Sequence, residues 1–74
     1  MTFRITRAVS GDYAVTYDAS LSPMLRFTVR GPGGRIVRLR SSYGEAQRAL
    51  VRECGLSKDE ATRLLDQASG AAQR

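Results

Sequence analysis

Histidine is absent from the 74-residue chain, and cysteine occurs once, as Cys54. A lone cysteine closes no internal disulfide, and without histidine it lacks the usual companion for a zinc site. The missing imidazole also removes the commonest general base near neutral pH. No run approaches the roughly 20 apolar residues that span a bilayer. Met1 to Ser10 holds no apolar stretch of signal-peptide type. The glycines from Gly31 to Gly34 lack Walker spacing and its lysine, and no nucleophile–base–orienter set can be assembled. The expectation is a cytoplasmic, non-catalytic protein with no metal, no cofactor and no membrane association.

What is present fits one small globular domain, expected over residues 1–70, with 71–74 as a frayed tail. Hydrophobic residues make up 42% of the chain and charged residues 26%, a globular rather than disordered balance. The net charge is +5, and it is unevenly placed. Residues 1–42 contain seven arginines against two aspartates, whereas residues 43–74 balance five charges of each sign. Residues 26–40 alone hold Arg26, Arg30, Arg35, Arg38 and Arg40 with no acid. Such asymmetry points to an anionic partner. The planar guanidinium fork of arginine suits phosphate and carboxylate.

Period-two alternation marks four strands. Phe3, Ile5 and Val9 alternate with Thr2, Arg4, Thr6 and Ala8; Tyr13, Val15 and Tyr17 alternate with Ala14, Thr16 and Asp18. Leu25, Phe27 and Val29 alternate with Met24, Arg26, Thr28 and Arg30; Val37 and Leu39 alternate with Ile36, Arg38 and Arg40. A three-residue loop at Ser10-Gly11-Asp12 sets Val9 against Tyr13, Ile5 against Tyr17 and Arg4 against Asp18. A second loop after Gly31, with Pro32 at its first position and Gly34 left-handed, sets Val29 against Val37 and Phe27 against Leu39. The segment from Ala19 to Pro23 links the two hairpins.

Two helices follow. Ser42 with Glu45 and Ser57 with Glu60 are capping boxes, and Gly55 and Gly70 stand where left-handed C-caps belong. The first helix, about 43–54, directs Ala46, Ala49, Leu50 and Cys54 to one side. The second, about 58–69, directs Ala61, Leu64, Leu65 and Ala68. Asp59 and Arg63 form an i,i+4 pair. Cys54 is read as a buried small apolar residue, and Tyr43 as the one aromatic left exposed. The fold class is α+β: a four-stranded antiparallel meander with two C-terminal helices on one face.

Parity then gathers Arg4, Arg26, Arg30, Arg38 and Arg40 on the outer face with Thr2, Thr6, Thr16 and Thr28, while Arg35 extends the basic surface at the turn. Guanidiniums about 5 Å apart on neighbouring strands bridge phosphates, and threonine hydroxyls add hydrogen bonds. Tyr13, Tyr17 and Phe27 fall on the inner face, which leaves no base-stacking platform.

Gln47 to Leu65 resembles a helix-turn-helix at Leu50, Gly55, Leu56, Ala61 and Leu64. Val51 departs from the motif's small residue, however, and Asp59 with Glu60 opens the would-be recognition helix with negative charge. A helical hairpin packed on the sheet is the stronger reading. Phe27 to Cys54 resembles the strand–strand–helix part of the arm-binding domains of phage integrases, through Gly34, Arg35 and the Ser42/Glu45 cap. That resemblance covers under half the chain and implies a sheet in the major groove, contacting DNA through Arg26, Arg30, Arg38 and Arg40.

The expected function is binding of an anionic partner, nucleic acid (DNA or RNA), through the Arg/Thr face. The alternative is a phage- or mobile-element-type inhibitor or adaptor, similar to anti-CRISPR proteins, that meets an acidic surface of a nucleic-acid-processing complex. A homodimer through a strand edge is a further expectation.

Overall fold

In the computed structural model, which describes residues 5–70, the first chain reversal takes only two residues, Gly11 and Asp12. Gly11 has φ +58° and Asp12 does not share its positive sign, the pattern of a hairpin turn with glycine at its first central position. The flanking strands β1 (Ile5–Ser10) and β2 (Tyr13–Asp18) pair Ser10 with Tyr13, Val9 with Ala14 and Ile5 with Asp18. The expected three-residue loop is therefore corrected by one position. Because side chains alternate with period two, that single step turns the whole of β1 over. Ala8 and Thr6 face inward; Ile5, Arg7 and Val9 face outward.

Strand β3 (Phe27–Arg30) pairs with β2, placing Val15 beside Val29 and Tyr17 beside Phe27. The link before it is not plain coil: Pro23–Leu25 form one 3-10 turn. Leu25, expected on the inner face of the third strand, stands exposed there. The next loop follows expectation. Pro32 opens it, Gly34 has φ +80°, and the Gly31 N–H donates to the Arg35 carbonyl at 2.7 Å.

Strand β4 (Ile36–Ser41) then departs from simple alternation. Arg30 opposes Ile36, Val29 opposes Arg38, and Phe27 opposes Ser41, with a register shift at each step. Two bulges set Val37 and Arg38 against Val29, and Leu39 and Arg40 against Thr28. The second is marked by φ +43° at Arg40, the one non-glycine positive φ among the described residues. Val37 and buried Ser41 thereby face the core, and the Ser41 hydroxyl donates to the Phe27 carbonyl at 3.1 Å.

The sheet order is β1-β2-β3-β4, an antiparallel meander, and α1 (Tyr43–Arg52) and α2 (Lys58–Ser69) pack on one face. Both serines cap their helices, Ser42 accepting from the Glu45 N–H and Ser57 from the Glu60 N–H. The reciprocal bond of the expected capping box forms at Ser42 and not at Ser57. The core joins Val15, Phe27 and Val29 of the sheet to Ala46, Leu50, Cys54, Ala61, Leu64, Leu65 and Ala68 of the helical layer. Small side chains at Ala8 and Ala68 let α2 approach β1, where the Thr6 hydroxyl donates to the Ala68 carbonyl. Tyr43 is not an exposed aromatic. Its ring stands edge-on to Phe27 at 5.7 Å, and its hydroxyl donates to Asp66 at 3.0 Å. A Gln47–Thr62 hydrogen bond of 2.7 Å further ties α1 to α2. The Asp59–Arg63 pair does not close into an ion pair.

Candidate nucleic-acid interface

The register defines the open face of the sheet row by row. One row runs Val9–Ala14–Arg30–Ile36 across all four strands. The next runs Arg7–Thr16–Thr28 and ends on the Leu39–Arg40 bulge. Ile5 and Asp18 close the far corner. Arg7, Arg30 and Arg40 thus share a face with two threonines, and none of the three forms an ion pair among the described residues. The Arg40 N–H donates to the Thr28 hydroxyl at 3.2 Å, which fixes the bulge over that threonine.

The expected five-arginine plate is only partly assembled. Arg30, Arg40 and Thr28 stand on it, and Arg35 is exposed at the adjoining turn. Arg26 does not. It follows the 3-10 turn, where its Nε donates to the Leu21 carbonyl at 2.8 Å and its guanidinium lies 6.0 Å from the Tyr17 ring centre. Those contacts tie Arg26 to the β2–β3 link. Arg38 is carried to the opposite face by the bulge and pairs with Glu45 of α1 at 2.7 Å. Arg4 and its expected partnership with Asp18 lie outside the described residues. Arg26 and Arg38 therefore do not share one face with Arg30 and Arg40, as the integrase resemblance implied.

The face also carries apolar side chains. Ile5, Val9, Ile36 and Leu39 are between 46% and 58% exposed. Ile5, Val9 and Leu39 were expected inside; the two-residue turn and the β4 bulges bring them out. Among the described residues no aromatic ring stands on this face, since Tyr13, Tyr17, Phe27 and Tyr43 all pack against the core.

On the other side of β4 lies a second cationic surface. Arg38, Arg48 and Arg52 line a groove of about 230 Å³ with Ala49, Glu45 and Glu53. Arg48 and Arg52 also border an adjoining depression with Gln47, Val51 and Lys58. Arg48 and Arg52 were missed from the sequence because the helical half is neutral in sum. Their signal was local: two like charges at i,i+4 on one helix face repel and need an external reason. Arg7 was legible in principle, since Gly11-Asp12 suits a two-residue turn and that turn faces Arg7 outward.

The Glu45 carboxyl is held below its ordinary value, first by the Arg38 hydrogen bond and then by those from the Ser42 hydroxyl and N–H. Burial, with Glu53 nearby, pushes the Cys54 thiol up, so it stays protonated and inert. No group of three or more potential metal-ligating side chains gathers among the described residues, and no helix among them is long and apolar enough to cross a membrane. Comparison with protein-family models, curated proteins and solved structures finds no match to this chain.

Proposed function

We propose that this chain is a small, non-catalytic protein that binds nucleic acid through the open face of its sheet. The observation that carries this reading is the grouping of Arg7, Arg30 and Arg40, unpaired among the described residues, with Thr16 and Thr28 on one surface. Guanidiniums left without carboxylates repel one another unless an anion joins them. Phosphate oxygens accept from both the guanidinium and hydroxyl groups present. The absence of aromatic rings from the described part of this face favours a duplex over single strands, which bind by stacking. A reducing, cytoplasmic setting suits the buried free thiol of Cys54.

The test is fluorescence anisotropy with a labelled 20-base-pair DNA duplex across a salt series. Three phosphate contacts give a log–log slope of about −2.7. Absence of binding at low salt, or a flat slope, overturns the reading.

One observation favours the alternative of an inhibitor or adaptor seated on an acidic protein. Ile5, Val9, Ile36 and Leu39 add apolar area between the arginines, and phosphates make little use of such area. A stoichiometric protein retained from nuclease-treated host lysate, with no duplex affinity, decides for that partner.

A further inference from the structure

Strand β4 is an edge of the sheet with cations on both sides of it. Toward the open face stand Arg40 and, in the neighbouring strand, Arg30; toward the helices stands Arg38, with Arg48 and Arg52 beyond it on α1. The two bulges create this arrangement, because strict alternation would have put Arg38 and Arg40 on the same side. They also blunt β4 as a template for strand addition, which weighs against a homodimer through that edge.

From this geometry we infer that β4 enters the major groove of duplex DNA edge-on, with one phosphate strand on each side of it. The inference rests on the nucleic-acid reading and deepens it. One strand's phosphates lie in the groove between β4 and α1, against Arg38, Arg48 and Arg52. The other strand's phosphates meet Arg30 and Arg40 on the open face, while the unpaired backbone groups along the β4 edge face the base edges. The dimensions agree. The edge that enters is a single strand, and the B-form major groove, about 12 Å wide, admits even a two-stranded ribbon. Four strands laid flat are wider than that groove, since neighbours are about 4.8 Å apart. The deep, narrow major groove of A-form RNA does not admit such an edge. Glu45 and Glu53 also line the helical groove. Glu45 is engaged by Arg38, so an entering phosphate takes over that guanidinium from the carboxylate.

Two double variants separate this inference from the broader reading. Arg48→Gln with Arg52→Gln empties the helical groove of its α1 cations, and Arg30→Gln with Arg40→Gln strips the open face. All four side chains are partly or fully exposed, and circular dichroism confirms that each variant stays folded. With these five cations engaged, the wild-type salt slope on a 20-base-pair DNA duplex is about −4.5, and the α1 variant brings it to about −2.7. The open-face variant flattens it by the same amount. Equal loss in both variants, with weaker binding to a matched RNA duplex, is the expected result. If the α1 variant leaves affinity and slope unchanged while the open-face variant flattens the slope, edge-on entry is overturned and sheet-face binding stands. If neither form of nucleic acid binds the wild type, the functional reading itself fails.

Discussion

Arg38 places Nη2 2.7 Å from Oε2 of Glu45, across the seam between β4 and α1. This contact depresses the Glu45 carboxyl, helped by the Ser42 hydroxyl and N–H. A depressed carboxyl stabilises the fold above its unfolded-state pKa, and that contribution is lost as pH falls through the folded value. A carbon-detected NMR titration is expected to show the Glu45 midpoint below the ordinary glutamate range, moving upward in Arg38→Gln. Glu45→Gln frees Arg38 and removes a carboxylate from the groove. Duplex affinity then rises, because Arg38 no longer has to leave a carboxylate to meet phosphate. The number of phosphate contacts, and with it the salt slope, stays the same. An unchanged Glu45 midpoint in Arg38→Gln refutes the pairing.

Tyr43 joins the start of α1 to α2 through its bond to Asp66. Burial raises its phenol pKa most, followed by the Asp66 hydrogen bond and charge. Here the neutral form is the favoured one. The contribution is therefore complete below the unfolded phenol pKa and is lost as pH rises through the folded value. Tyr43→Phe keeps the ring on Phe27 and loses only the hydroxyl contact, for an expected cost of about 1 kcal/mol in urea denaturation. Ultraviolet titration of Asp66→Asn is expected to lower the Tyr43 midpoint part of the way, since burial remains.

Leu65 and Leu39 offer a direct contrast. Leu65 is fully buried between helix and sheet, whereas Leu39 projects from the β4 bulge. Leu65→Ala is expected to cost about 2–5 kcal/mol, enough to unfold much of a domain this small. Leu39→Ala is expected to stay within about 0.5 kcal/mol. Thermal melts followed by circular dichroism measure both. Comparable losses in the two variants restore strict alternation in β4 and with it the register first read from the pattern.

That contrast also marks how far the sequence could be read. The strands, the meander, both serine caps and the eight inward residues of the helices follow from periodicity and turn chemistry, which act over a few residues. Side assignment in β1 and β4 did not follow. In β1 the patterns fit two loop lengths, and Val9 looked more core-like than Ala8. The deciding factor was long-range, because α2 needs small side chains where it crosses β1. In β4 the bulges leave no composition signal: Arg40 has a positive φ without being glycine. The candidate site inherited both errors, because its strand residues were placed by parity; Arg35, placed by the turn, was not affected.

The bond from Thr6 to Ala68 joins the first described strand to the last described helix, 62 positions apart. During synthesis the hairpins can close as soon as they emerge, yet Ala8 and Val15 stay wet until Leu64, Leu65 and Ala68 have left the ribosome. Completion of the fold therefore waits for translation to pass α2, and chains stalled before that point expose a half-covered sheet to chaperones and proteases.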